Sequence, residues 1–407
     1  TMIAMARDAG AFVIVAGSDV SDHPEVFLNA GTHIAVLGEG DHTVRELVLQ
    51  MKGLAIDHWQ SPITHYQSLI TIPGIAYLDG KSGGNCVTHT TRRNPERNPD
   101  VFPFAAWDLL DVERYRQAWT EAHGYFSINL ASTRGCPFHC NWCAKPIWGQ
   151  RYAMRSPAHV AQEMALMKRT LRPDHIWFAD DIFGLRPQWV AEFGREVAQR
   201  DAAIPFTIQT RADLMTDEAI AGLKQAGCVE VWMGAESGSQ KILDAMDKGT
   251  TVQQIKEARA RLQRVGIKAC YFIQFGYPGE TWDDIMLTVN LVRDTLPDNI
   301  GISVSYPLPG TKFHEMVKAQ LGDKDHWTDS DELAMMFRGT YTSAFYKKLH
   351  RVLHLELEVL QAERDWGLEI EWQALMQLER ECRNDAPTLL VKRYAQPAVP
   401  DLSLAWN

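Results

Sequence analysis

Arg134-Gly-Cys-Pro-Phe-His-Cys-Asn-Trp-Cys143 gathers Cys136, Cys140 and Cys143 in one short loop, at spacings of four and three residues. Such spacing lets a single segment wrap three soft thiolates around one small metal body. A structural zinc site takes four ligands in a closed tetrahedron, which would make this a zinc knuckle with His139 as the fourth. An iron–sulfur cubane has four irons, so three thiolates leave one iron open to bind something else. The other cysteines, Cys86, Cys228, Cys270 and Cys382, are scattered and read as small apolar residues.

The loop follows an apolar run at 125–131, the first of six predicted strands. The others cover 175–179, 205–209, 229–234, 268–275 and 300–306. Helical segments lie between them. Ser156 caps one with Pro157 at its first position, Thr216 caps another that stops at Gly227, and the helix from Thr251 ends at Gly266. Six β/α units imply a parallel sheet, and right-handed crossovers curl such a sheet towards a barrel. A complete eight-unit barrel takes ~250 residues. The span from 125 to about 310 instead fits a partial (β/α)6 barrel.

Upstream, residues 11–52 read as strand, helix, strand, helix. Ala11-Phe-Val-Ile-Val-Ala16 and Ile34-Ala-Val-Leu37 suit buried parallel strands. Gly17 and the Gly38-Glu-Gly40 turn follow them, and Pro24 suits a first helical turn. This is half of an open Rossmann-like α/β sheet, whose ligands bind beyond the carboxyl ends of its strands. Asn94-Pro-Glu-Arg-Asn-Pro99 and Phe102-Pro103 mark a linker. Beyond Thr311 the pattern turns helical, with apolar and charged positions alternating through Phe345–Leu360. The expected organisation is a truncated α/β domain over 1–60, a connector over 61–118, the barrel over 119–325 and a helical C-terminal region over 326–407. The first residues already look like the middle of a helix, so the sequence is expected to lack an N-terminal portion.

Across the 407 residues, 45% are hydrophobic and 23% charged, as in an ordinary soluble globular protein. The formal charge of −10 argues against a general nucleic-acid binder. No segment approaches the ~18 apolar residues of a membrane span. An odd cysteine count with three in one cluster is not a secreted disulfide framework, so a reducing cytoplasm is expected.

In a parallel barrel the active site lies at the carboxyl ends of the strands. Strand one leads into the cysteine loop. The next ends are Ala179-Asp-Asp-Ile-Phe183, Gln209-Thr-Arg-Ala-Asp213, Gly234-Ala-Glu-Ser-Gly-Ser239, Gln274-Phe-Gly-Tyr-Pro-Gly-Glu-Thr281 and Ser305-Tyr-Pro-Leu-Pro-Gly-Thr311. Carboxylates, an arginine and hydroxyls would thus ring the metal loop. The ring and the Cys-x-x-x-Cys-x-aromatic-Cys signature together resemble the radical S-adenosylmethionine (SAM) enzymes. The resemblance spans about 120 to 311. It implies that Cys136, Cys140 and Cys143 hold a [4Fe–4S] cluster whose free iron chelates SAM, and that reductive cleavage yields a 5′-deoxyadenosyl radical. It also implies a small-molecule substrate and an external electron donor such as flavodoxin or ferredoxin.

By the same resemblance Trp142 stands near the adenine, and Glu236 and Ser237 contact the ribose or methionine part of SAM. Asp180 or Asp181 stands where many members carry a Gly-Gly-Glu motif for the SAM amino group; that motif is absent here. Arg211 is the expected partner of the SAM carboxylate, since guanidinium pairs bidentately with carboxylates. The backbone from Tyr306 to Pro309 is expected to frame the adenine.

The N-terminal part, with Gly17-Ser-Asp, His23-Pro-Glu25 and Gly38-Glu-Gly40, looks like the second half of the cobalamin-binding domain that precedes many such barrels. This implies cobalamin in the full-length protein, with Gly17 and Gly38 as turn glycines near it. The Asp-x-His-x-x-Gly source of a lower-ligand histidine does not occur in the sequence. Ser303–Thr311, Trp327–Asp331 and Met335-Met-Phe337 are similar to the anaerobic magnesium-protoporphyrin IX monomethyl ester cyclases, and methyltransferases of that branch share most of these features. The expected reaction is therefore methyl transfer or oxidative ring closure of a tetrapyrrole. The alternative is a non-catalytic zinc- or iron–sulfur-binding module whose cysteines staple a loop.

Overall fold

The fold is that of a computed structural model, which describes residues 2–51, 69–79, 86–145, 147–322, 324, 333–362 and 367–387. Trp327–Asp331, the residues around the expected boundaries at 60 and 325, and the tail from 388 lie outside the described residues. The chain divides into two compact units. One comprises residues 1–98 with 145–153, and the other residues 99–144 with 154–407.

In the first unit β1 (Ile14–Ala16) pairs in parallel with β2 (Ile34–Val36), as the two apolar runs predict. Helices Pro24–Asn29 and Asp41–Met51 occupy the expected places. The connector contributes more than expected. Ile75–Asp79 (β3) adds antiparallel to β2, and Cys86–His89 (β4) pairs with β3. The physical reason is burial: Ile75 and Tyr77 complete a small core with Ile34, Val36 and Leu47. Gly17 and Gly38 both have positive φ, 138° and 72°, so each makes a turn that a side chain would strain.

The second unit is built on six parallel strands that neighbour one another in chain order: β5 (Ser127–Leu130), β6 (His175–Phe178), β7 (Phe206–Thr210), β8 (Cys228–Glu236), β9 (Lys268–Phe275) and β10 (Asn299–Val304). This is the parallel α/β sheet expected from the strand pattern, with β5 and β10 as its two edges. Ile176, Phe178, Phe206, Ile208, Val231 and Met233 are fully buried in the main core, where residues of the intervening helices also lie. Alternate positions Trp177, Gln209, Trp232 and Phe272 stay only half-buried, as the two-residue period of a strand requires.

The predicted helix signals operate as read. The Ser156 hydroxyl accepts from the His159 N–H, and Pro157 opens the helix to Thr170. Thr216 caps Asp217–Ala226, which stops at Gly227 with φ 98°. Thr251 forms a reciprocal capping box with Gln254. Helices Pro187–Gln199 and Asp217–Ala226 approach through glycines. A Cβ on Gly222 would lie 2.5 Å from the Val190 carbonyl oxygen, and one on Gly194 2.6 Å from that of Gly222.

Helices Ser343–Ala362 and Leu368–Glu381 form the expected helical C-terminal region. On the first, both ring nitrogens of His354 lie within hydrogen-bond distance of carbonyl oxygens, 2.8 Å from His350 and 3.1 Å from Ile300. His354 therefore serves the helix and β10. Among the described residues, no helix is long and apolar enough to cross a membrane.

Candidate functional site

The cysteine loop begins at Arg134, four residues after β5, and the residues that join it to β5 are anchored by the end of β6. Asp180, fully enclosed, accepts from the backbone N–H groups of Ser132 (2.7 Å) and Thr133 (2.9 Å) and from the Ser132 hydroxyl. Burial raises its pKa to about 6, against the pull of those hydrogen bonds. Asp181 accepts from the Gly135 N–H at 3.0 Å, immediately before Cys136. In this structure the two aspartates act on the loop itself.

Asn141, between the second and third cysteines, pins the loop to the rest of the site. Its backbone N–H donates to the Met246 carbonyl at 3.0 Å and its side-chain amide to the Ala245 carbonyl at 2.7 Å. Its backbone carbonyl accepts from the Phe313 N–H at 3.0 Å. The Tyr277 hydroxyl sits 3.0 Å from both Asn141 Oδ1 and the Ala245 carbonyl, and donates its one proton to either. One nearly buried amide thus joins the cysteine loop to the segments after β8, β9 and β10.

Cys136, Cys140 and Cys143 are each half-buried. Among the described residues, no three His, Cys, Asp or Glu side chains stand where a single metal ion could be held. Thiolates at the corners of a four-iron body stand farther apart than the ligands of one tetrahedral ion. His139 is exposed.

Two buried cations meet at this loop. Arg211, just beyond β7, places Nη1 3.9 Å from Cys140 Sγ and its guanidinium carbon 3.8 Å from the centre of the Phe138 ring. Its Nε and Nη2 donate to Asp213 at 2.9 and 3.2 Å, so the bidentate fork is engaged within the protein. Lys248 donates to Glu236 Oε1 at 2.7 Å, and both side chains are 6% exposed. Burial works against the Lys248 charge, yet Glu236 and then the Cys140 sulfur hold its pKa above the usual lysine value. Glu236 closes β8 with φ 58°, beyond a register shift against β9. A left-handed residue that is not glycine is held there by its surroundings. Gly234 makes the room: a Cβ there would lie 2.5 Å from Lys248 Nζ.

Ser237 is placed differently from its neighbour. Its hydroxyl bonds Thr288 at 3.1 Å and accepts from the Ser239 N–H at 3.1 Å, within a buried network that includes Asp284. Trp142 and Tyr306 pack on one apolar cluster with Ile242, Met246, Tyr277 and Phe313. Among the described residues, the buried Trp142 indole N–H has no acceptor and the buried Gln274 Oε1 at the end of β9 has no donor. Glu280 is wholly buried. Its Oε2 accepts from the Gly276 N–H at 2.6 Å, Oε1 has no partner among the described residues, and burial raises its pKa to about 8.

The structure therefore brings Arg211 to Cys140 and pairs Glu236 with Lys248, and it sets Trp142 beside the cluster that also holds Tyr306. Gly17 and Gly38 belong to the other unit. Asn141, Asp213 and Lys248 were not singled out as site residues. Asn141 reads as a spacer between ligands and Asp213 as one more strand-end carboxylate. Lys248 lies twelve positions beyond Glu236, with no periodicity to couple them.

Three thiols in one anchored loop, with two buried cations near them, suit an electron-rich metal group and a ligand that carries a carboxylate. Comparison with known proteins agrees. Residues 130–292 match the model of the radical SAM superfamily. The chain is 27% identical over 307 residues to an uncharacterized methyltransferase of Pyrococcus horikoshii, covering 75% of this chain and 62% of that protein. It is 30% identical over 259 residues to the anaerobic magnesium-protoporphyrin IX monomethyl ester cyclase of Rubrivivax gelatinosus, covering 62% of this chain and 44% of that one. The chain thus spans 44–62% of the length of these relatives.

Among solved structures, the radical SAM methyltransferase TsrM of Kitasatospora setae, with tryptophan and a SAM analogue bound, superposes with a TM-score of 0.64 at 18% identity, covering 82% of this chain and 64% of that chain. The cobalamin-dependent radical SAM enzyme OxsB, with aqua-cobalamin and SAM bound, superposes at 0.63 and 18%, covering 93% and 60%. At such identities the likeness is one of fold.

Proposed function

Because residues 130–292 of this chain match the radical SAM superfamily, we propose that the protein is a cobalamin-linked radical SAM enzyme that transfers a methyl group to a small molecule. The observation that carries the class is the meeting of Cys140 with Arg211, and of Glu236 with Lys248, at the carboxyl ends of β7 and β8. Methyl transfer is favoured by the match to the Pyrococcus methyltransferase over 75% of the chain. The 30% identity to a Rubrivivax cyclase supports a second reading, oxidative ring closure of a tetrapyrrole.

Cys136, Cys140 and Cys143 hold the [4Fe–4S] cluster, with Asp180, Asp181 and Asn141 keeping their loop in place. When bound, the cluster supplies the electron that cleaves SAM to methionine and a 5′-deoxyadenosyl radical. Arg211 and Lys248 present positive charge to the SAM carboxylate. Glu236 Oε2 accepts from the ribose hydroxyls while Lys248 holds Oε1. Trp142 and Tyr306 flank the adenine and, with Tyr277 and Phe313, exclude water from the reacting atoms. Gly17 and Gly38 make turns at a cobalamin face of the other unit. The electron comes from an external carrier such as flavodoxin or ferredoxin. A reducing cytoplasm suits the thiol-rich loop.

The test is anaerobic reconstitution with iron, sulfide and cobalamin, followed by SAM and a chemical reductant. The proposal expects about four irons per chain, retained corrinoid and 5′-deoxyadenosine. Methyl transfer adds S-adenosylhomocysteine, because a second SAM remethylates the corrinoid; ring closure does not. One zinc per chain and intact SAM would overturn the enzyme reading altogether.

A further inference from the structure

Lys248 is an expensive residue to keep where it is. Its side chain is 6% exposed, and so is that of its partner Glu236. A buried ion pair is weak evidence of a stabilising role, because apolar residues of similar volume often serve stability as well or better. The fold nevertheless makes space for the pair at Gly234, where a Cβ would fall 2.5 Å from Nζ and 2.7 Å from Glu236 Oε1. Its surroundings suggest another use. Two positions before Lys248, the Met246 carbonyl accepts from the N–H of Asn141, the neighbour of Cys140. One position after it, a Cβ on Gly249 would lie 3.7 Å from Nη2 of Arg211, whose Nη1 approaches the Cys140 sulfur to 3.9 Å. Each cation has its own carboxylate, Glu236 at 2.7 Å for Lys248 and Asp213 at 2.9 Å for Arg211. Two ion pairs thus stand at the cysteine loop.

We propose that Lys248 is a positioning residue for the metal site, holding positive charge against Cys140 together with Arg211 and so raising the reduction potential of the cluster carried by the three cysteines. The inference rests on the radical SAM reading above. Reduction adds one electron and breaks no bond. The added negative charge is stabilised by a nearby cation, and burial keeps solvent and salt from screening the interaction. Net charge and hydrogen bonds at the sulfurs are the protein's means of setting a cluster potential. Arg211 supplies part of this charge through a fork locked by Asp213. Lys248 supplies the rest from a turn that Asn141 ties to the cysteine loop through Ala245 and Met246.

The experiment is a mediator-buffered redox titration of the reconstituted chain, without SAM, followed by electron paramagnetic resonance and accompanied by iron analysis. Lys248→Met is expected to retain its iron and to lower the one-electron reduction constant about tenfold, a shift of ~59 mV to more negative potential. Lys248→Arg should stay within about twofold of wild type. Lys256→Met, which removes a surface ion pair to Asp294, should not move the potential. A Lys248→Met protein with full iron and an unchanged potential overturns the proposal and leaves the radical SAM reading standing. If Lys248→Met does not fold or load, Lys248→Gln carries the same test. Loss of the cluster in both neutral variants, with retention and a wild-type potential in Lys248→Arg, supports the role; loss in Lys248→Arg as well overturns it. Wild-type protein that takes up no four-iron cluster defeats both readings together.

Discussion

The side-chain amide of Asn141 donates to the carbonyl oxygen of Ala245 at 2.7 Å, joining the cysteine loop to the end of a helix 104 positions further along the chain. Asn141→Ala is expected to cost about 1–3 kcal/mol, because it strips partners from buried polar groups. Iron loading should fall several-fold while the far-ultraviolet circular dichroism stays native. Thermal unfolding and iron analysis check the two effects separately. An unchanged iron content would show that the loop keeps its shape without this amide.

The cysteines divide by environment. Cys228 and Cys270 lie in the core, where burial pushes their thiols well above the usual range and out of use as ligands. Replacing Cys136, Cys140 or Cys143 singly by Ala should take the reconstituted protein from about four irons per chain to below one. Cys228→Ala and Cys270→Ala should leave the iron count and the visible spectrum unchanged, at a cost of about 1 kcal/mol each from the small cavity.

Glu280 predicts a pH dependence. Burial raises its pKa from 4.5 to about 8, so between those values the folded protein holds a proton that the unfolded chain has released. Its contribution to stability is complete below about pH 4.5, falls by up to about 1.4 kcal/mol per pH unit as pH rises, and levels off above about pH 8. Glu280→Gln mimics the protonated form and removes the trend. Melting temperatures at pH 5.5 and 8.5 should therefore differ more for wild type than for the variant. Equal differences in the two proteins would mean that the carboxyl titrates normally.

Gly222 sets the spacing of two helices. A Cβ there would meet backbone at 2.5 Å, the Val190 carbonyl oxygen, which no rotamer change relieves. Gly222→Ala should destabilise by about 1–3 kcal/mol through overpacking. In urea the midpoint should fall with an unchanged slope, because the folded and unfolded surfaces stay the same. The three cysteines are remote in sequence from this contact, so iron loading should survive.

Much of this molecule was legible before its fold was known. The six strands were readable because each is a short apolar run between turn signals, and the helix starts because Ser156, Thr216 and Thr251 are local caps whose partners lie three residues on. The cysteine motif was readable for the same reason: its ligands are near neighbours in the chain. Glu236 was placed by its position after a predicted strand, although the strand proved to run on through it. The β3 strand was hidden in the connector, because its pairing with β2 depends on a surface that forms only when the first sheet does.

The sequence alone determined the six parallel strands, their order and the chemistry of the loop, since backbone propensity, capping and ligand spacing are all settled within a few residues. Only the tertiary structure decided which charges share a site. Lys248 meets Glu236, Arg211 reaches Cys140 and turns its fork to Asp213, and Asn141 finds Ala245, through contacts set by how the strand ends are packed side by side. Such contacts have no period along the chain. Their strength comes from burial, which no residue possesses until the sheet and its helices have closed around it.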